Sequence, residues 1–230
     1  MRVSREHLTT VPQAVRRYAA DTLAQGSNAP ACEAVSRRVA AAFDAEFAAA
    51  TAAGAPIACV PGCVFCCHLR VGVLPHEALA LWHYLRTQLP AAEAAEIERV
   101  IRANAQRIDE LTPAEHRAAN IPCAFLRAGR CSAHPVRPSA CAAYHSLSRE
   151  RCEHAFDNPR DAGTPKNRRP ALLALQAFGD ALIAAARAGL EDAGFASAET
   201  ELHQSLRALL EGPHNANPSL PEASPCPKSC

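Results

Sequence analysis

Apolar residues recur along this chain at the three-to-four-residue spacing of amphipathic helices, except across one central stretch. Val15, Tyr18, Ala19 and Leu23 share one helical face, with Thr10 placed to cap and Pro12 in the first turn. Val35, Val39, Phe43, Phe47 and Ala50 predict a second helix from about Glu33 to Thr51, ended by Gly54 and Pro56. Cys32 falls just before it. After Pro75, a stripe of Ala78, Leu81, Trp82, Leu85 and Leu89 runs until Pro90 stops it. Ala91 to Leu111 carries Ile97, Val100, Ile101 and Ile108, with acidic residues early and arginines late, the order the helix dipole favours. These two helices predict an antiparallel pair joined by a tight turn. A further helix is predicted from Pro170 to Ala188, with Leu172, Leu175, Phe178 and Leu182 inward and Gly189 as C-cap. The last starts at an N-cap on Ser197 and presents Leu202, Leu206 and Leu209 before Gly212 and Pro213. Only Leu69 to Leu74 reads as a strand.

Between Asn120 and Arg169 the periodicity fails, and a loop of this length rarely persists in a compact domain unless something pins it. The expected fold is therefore mainly α. A single helical domain, 1–212, holds an irregular, cysteine-rich metal-binding zone of loops between helices at about 58–160. Residues 213–230 form a Pro-rich, polar tail expected to be disordered.

Cysteines give that zone its chemistry. Cys59, Cys63, Cys66 and Cys67 stand together in CVPGCVFCCH, and Cys123, Cys131, Cys141 and Cys152 follow. Soft thiolates packed so densely suit a metal ion or an iron–sulfur cluster, whose binding energy organises the chain around it. Cys63 and Cys66 have the two-residue gap that lets two side chains converge on one ion from a turn, and Gly62 relieves crowding before it. Cys66 and Cys67 are adjacent, so their side chains are expected to diverge. Either one supports from behind, or the pair serves two neighbouring centres. Cys123 and Cys131 flank FLRAGR, a turn with Gly129 at its tip, and Pro135 and Pro138 stiffen the approach to Cys141. Eight thiols suffice for two four-thiolate sites or for one site with spares. Arg70, Arg127, Arg130 and Arg137 lie close enough in sequence to donate to sulfur and offset its charge. His68, His134, His145 and His154 border cysteines and read as supporting or surface residues. Cys226 and Cys230, in the tail, have no packing to hold them.

Charge narrows the partners. Lys and Arg number 24 against 23 Asp and Glu, a net charge of +1, and aromatic residues make up 5%. That balance gives no case for nucleic acid or an anionic membrane. The N-terminal MRVSREHLTTVPQAVRRY has no apolar stretch of signal-peptide length, and no run of roughly 18 apolar residues follows. A cytoplasmic location without a membrane span is expected, and reduced thiols there read as metal ligands rather than disulfides. An odd cysteine count, 11, points the same way.

Cys59-x3-Cys63-x2-Cys66 also matches the cluster signature of radical S-adenosylmethionine enzymes. Those enzymes place it after the first strand of a repeating strand–helix barrel. This chain has no such repeat, so the match reads as coincidence.

CVPGCVFCCH, PCAFLRAGRCSAHPVRPSACAAYHS and RCEHAF together resemble the YkgJ-type cysteine-cluster family, described as a zinc- or iron-chelating domain. The resemblance covers about Ala58 to Ala155. It implies metal or cluster binding through Cys59, Cys63, Cys66, Cys67, Cys123, Cys131, Cys141 and Cys152. The first gap here is three residues rather than the commoner two, and Ala142 stands where the family often has Arg, while Tyr144 keeps the aromatic. The family also includes flagellin lysine N-methylases that carry an iron–sulfur cluster. The expected function is a cytoplasmic protein that chelates an iron–sulfur cluster or zinc, with no reaction assigned. One alternative is an iron–sulfur-dependent protein lysine N-methyltransferase-like enzyme. A second is a structural zinc module in an interaction protein. All eight candidate ligands are sulfur, a set that both metals accept. The sequence names no catalytic residue, substrate or protein partner.

Overall fold

Nine α-helices dominate the residues that the computed structural model describes, 7–161, 169–212 and 218–223. In chain order these are α1 (His7–Gln25), α2 (Ala29–Ala52), α3 (Pro75–Thr87), α4 (Ala91–Asp109), α5 (Pro113–Ala118), α6 (Ser139–Ala143), α7 (Arg149–Asp157), α8 (Leu173–Asp192) and α9 (Leu202–Glu211). β1 (Gly72–Val73) pairs antiparallel with β4 (Thr200–Glu201), and β2 (Leu126–Arg127) with β3 (Arg130–Cys131). The chain is mainly helical, and its clustered cysteines lie on short turns and short helices between the long ones, as the sequence predicts.

The apolar stripes bury themselves in two cores. Val15, Ala19 and Leu23 of α1 meet Val35, Val39 and Phe43 of α2 and Leu175, Phe178, Leu182 and Leu190 of α8. Leu81, Trp82 and Leu85 of α3 meet Ile97 and Ile101 of α4 and Leu202, Leu206 and Leu210 of α9. Fully burying one such side chain is worth roughly 1.5–3 kcal/mol, so each stripe accounts for its own helix. The cysteine segment touches both cores: Ala142 enters the first, and Phe125, Ala133 and Val136 enter the second.

Two glycines let α8 approach its neighbours closely. A Cβ on Gly189 would lie 2.6 Å from the Cβ of Ala19, so α1 and α8 touch backbone to backbone. A Cβ on Gly179 would lie 2.7 Å from the Cβ of Ala143, which seats α6 on α8. By length and composition α8 would also pass as a membrane span. Its Leu175, Phe178, Leu182, Ala186 and Leu190 are buried in the core that α1, α2 and α6 share, while Leu173 is exposed.

Several boundaries differ from the sequence reading. Cys32 is inside α2 and fully buried, because Asn28 caps that helix by accepting from the Ala31 amide at 3.1 Å. α8 continues past Gly189, which packs rather than caps. α9 starts at Leu202 with Glu201 as N-cap, not at Ser197, since Thr200 and Glu201 are used in pairing with β1. α5, α6 and α7 occupy stretches with no apolar periodicity. Part of the expected disordered tail is held in place. Ser219 bridges Asn28, Glu222 bridges Phe195, and Leu220 is buried. Cys226 and Cys230 lie outside the described residues.

Candidate metal centre

Two backbone seams bring the cysteine runs together. The Cys123 amide donates to the Cys67 carbonyl at 2.8 Å. The Ala58 amide donates to the Ser146 carbonyl at 2.8 Å, and the Ser146 amide donates in turn to the sulfur of Cys59 at 3.3 Å. The tip of the β2–β3 hairpin reaches the first run as well, since a Cβ on Gly129 would stand 4.0 Å from Val64 Cγ1. α7 packs on the 3-10 turn Phe65–His68 through Phe156, whose ring lies 5.6 Å from that of Phe65 and 5.0 Å from that of His68.

Cys66 sits where the runs meet. It shares the 3-10 turn with Cys67, whose thiol acts on it. The neighbouring Cys67 thiol, then burial, pushes the Cys66 thiol well above its ordinary range, while the Arg169 charge pulls the other way. Cys66 also acts on Cys123, Cys131 and Cys141. Burial pushes Cys123 up to about 12, reinforced by Cys131, Glu201 and Cys66. Cys141 is pushed well up by burial, then by Cys123, Cys131, Cys66 and Glu77. On the other side, Cys59 is raised by burial and then by Cys66, Cys63 and Cys152. By these mutual effects seven of the thiols fall into two neighbouring groups, Cys66 with Cys123, Cys131 and Cys141, and Cys66 with Cys59, Cys63 and Cys152, while Cys67 acts on Cys66 alone. Among the described residues, no three Cys, His, Asp or Glu side chains are gathered closely enough to hold an ion as packed here.

Backbone amides already serve four of these sulfurs, Cys66 through its own amide. Besides Ser146 to Cys59, the Phe125 amide bonds Cys123 and the Ala133 amide bonds Cys131. Such bonds stabilise a thiolate over a thiol.

Residues 58–161, the stretch holding all eight thiols, match the family model CxxCxxCC, described as "Putative zinc- or iron-chelating domain". This segment is similar to the CxxCxxCC family. No curated protein and no solved structure matches the chain.

The arginines near the CxxCxxCC thiols divide into two kinds. Arg137 forms an ion pair with Asp44 of α2 and donates to the His134 carbonyl at 2.9 Å, yet its charge still lowers Cys131. Arg127 faces Glu96 at 3.8 Å, with Nε and Nη2 buried and unpartnered. Arg169, which the sequence reading missed, lies over the Tyr144 ring at 4.1 Å, donates to the His145 carbonyl and acts on Cys66. It sits 28 positions beyond Cys141, so no local spacing marks it.

The histidines support loops. The Leu172 amide donates to Nε2 of His145 at 3.0 Å, which leaves Nδ1 to donate to the Ala143 carbonyl at 3.1 Å. Both ring nitrogens of His145 are thereby used. His68 bonds the Val64 carbonyl at 3.1 Å. Nε2 of His154 is buried without a partner, two residues after Cys152. Cys152 itself lines a cavity of about 170 Å³ with Phe65, Tyr144, Phe156, Arg151 and Arg169.

Proposed function

We propose that this chain holds zinc or an iron–sulfur cluster in one zone built from both cysteine runs, with Cys66, Cys123, Cys131 and Cys141 as the inner ligand set. The carrying observation is the 2.8 Å bond from the Cys123 amide to the Cys67 carbonyl, which sets the second run against the turn that carries Cys66; the effect of Cys66 on Cys123, Cys131 and Cys141 agrees with that placement. Four sulfurs are the donor set that structural zinc and iron–sulfur clusters take. Burial keeps the thiols protonated in the metal-free chain, and a soft cation displaces those protons on binding. Cys59, Cys63, Cys67 and Cys152 border the inner set and supply either a second centre or sulfur contacts to the first. A bound metal would tie α6, α7 and the β2–β3 hairpin to the 3-10 turn that carries Cys66. A reducing compartment such as the cytoplasm keeps these thiols available.

Anaerobic purification followed by metal analysis and visible spectroscopy tests this reading. A cluster gives a broad visible charge-transfer band, and zinc gives a colourless, stoichiometric metal content. Cys66→Ser is expected to lower either one more than any change outside the eight thiols. Wild-type metal content in Cys66→Ser would remove Cys66 from the centre.

A further inference from the structure

We propose that Glu201, His203 and Asn104 are positioning residues for the metal centre, acting by clamping the backbone on both sides of Cys123. The proposal rests on the reading of Cys123 as a ligand. Glu201 and His203 lie outside the CxxCxxCC segment, at the start of α9, and Asn104 lies on α4.

The geometry is a relay. Nδ2 of Asn104 donates to the Pro122 carbonyl at 2.8 Å. The Ala124 amide donates to Nε2 of His203 at 3.3 Å, and Asn104 Nδ2 stands 3.2 Å from the same nitrogen. Nδ1 of His203 faces Oε1 of Glu201 at 3.1 Å. Oε2 of Glu201 accepts from the amides of His203 at 2.7 Å and Gln204 at 2.9 Å. Both Glu201 and His203 are buried.

The donors fix the proton. An amide N–H can only donate, so Nε2 of His203 must accept from Ala124. One hydrogen of the Asn104 amide goes to Pro122 and the other faces the same acceptor. The imidazole is therefore neutral, with its hydrogen on Nδ1 and shared with the Glu201 carboxylate. Burial alone would raise the Glu201 carboxyl, but the hydrogen bonds it accepts from His203 and from the Gln204 amide outweigh it and hold Glu201 below the usual range.

The relay closes around one thiol. The Pro122 carbonyl goes to Asn104, the Cys123 amide to Cys67, the Cys123 carbonyl to the Leu126 amide at 3.0 Å, and the Ala124 amide to His203. With the Phe125 amide on the sulfur, Cys123 is left no backbone freedom. A carboxylate–histidine pair that orients a metal ligand from behind is a known means of raising affinity, typically worth about 10–100-fold. Here the pair would orient the ligand's peptide groups rather than the ligand atom itself.

The test is zinc affinity of the full chain by chelator competition, together with the visible spectrum of the cobalt(II)-substituted protein. His203→Leu keeps the volume and removes the acceptor. Zinc affinity is expected to fall about 10–100-fold, and the cobalt bands to shift as the thiolate geometry relaxes. His203→Gln, whose amide oxygen can accept from Ala124, is expected to restore most of the affinity. Arg207→Ala loosens only the surface pair with Asp109 on α4 and is expected to change neither readout. Wild-type affinity and spectrum in His203→Leu, beside a loss in Cys123→Ser, would overturn the clamp and leave the ligand reading intact. No loss in Cys123→Ser would overturn the ligand reading and the clamp with it. An equal loss in Arg207→Ala would also overturn the clamp, because any loosening of α9 would then suffice. If His203→Leu does not fold by circular dichroism, Asn104→Ala carries the same expectation, and wild-type affinity in that folded variant sinks the proposal.

Discussion

The amide of Cys123 donates to the carbonyl of Cys67, although residues 68–122 lie between them. That single bond places the β2–β3 hairpin against the 3-10 turn of the first run. α3 and α4 make the return path. Backbone, rather than sulfur, therefore sets the spacing of the two runs before any metal arrives.

Cysteine substitutions should sort by this geometry. Cys63→Ser and Cys141→Ser are expected to cut metal content sharply. Cys32 is buried inside α2, and burial pushes its thiol up to about 12. Cys32→Ser should keep wild-type metal content and lose about 1 kcal/mol of stability to a buried hydroxyl. In the native protein Cys32 should also resist alkylation near neutral pH. Metal analysis, urea unfolding and mass spectrometry after alkylation check these outcomes; equal metal loss in the Cys32 and Cys63 variants would sink the ranking.

Chelation should release α7 and spare the long helices. α7 rests on the first run through Phe156 and carries Cys152, whereas α6 is packed on α2 and α8. Trypsin is expected to cut after Arg149 and Arg151 once metal is removed, while helical circular dichroism mostly persists. An unchanged digestion pattern would mean that ordinary packing holds the segment. Complete loss of helix would mean that the metal nucleates the whole domain.

His76 should give the fold an acid-sensitive limb. It is fully buried, with neither ring nitrogen partnered, and burial lowers its pKa although Glu77 opposes this. The unfolded chain then binds a proton that the folded chain refuses. Stability should fall as pH drops below the unfolded value of about 6.5 and keep falling until the folded value is passed. His76→Leu removes the unpaired polar atoms and is expected to stabilise by about 1 kcal/mol while flattening that limb. Urea midpoints at several pH values from neutral downward test it, and a limb of undiminished slope in the variant would rule His76 out.

The two close-approach glycines should separate stability from metal binding. Alanine at Gly189 forces α1 from α8, and alanine at Gly179 forces α6 from α8. Each is expected to cost about 1–3 kcal/mol by overpacking. Only Gly179→Ala displaces the helix that carries Cys141, so only that variant should also lose zinc affinity. Paired denaturation and chelator-competition measurements decide it; equal affinity in both variants would contradict the placement of Cys141.

The long helices were legible because Leu81, Leu85, Ile97, Ile101 and their like repeat at helical spacing and bury what they display. Short elements were less so. α5 carries a readable cap, Thr112 with Glu115 three residues on, but no apolar stripe. α7 has a Ser148 cap and is held by rings from a distant turn. The cysteine positions stood out by type and spacing. What surrounds them did not, since Ser146 bonds Cys59, Arg169 acts on Cys66, and His203 and Asn104 hold the backbone beside Cys123, all from distant positions in the chain. Nor does spacing show that Cys66 and Cys67 sit on a 3-10 turn.

The second core has a consequence for anyone wishing to borrow this domain. Phe125, Ala133 and Val136 are covered in part by Leu202, Leu206 and Leu210, and β1 takes its only strand partner among the described residues from β4. Residues 58–161 excised and grafted into another host would arrive with one wall missing and a sheet edge bare. The transplantable unit is larger than the motif, and must bring α9 with it.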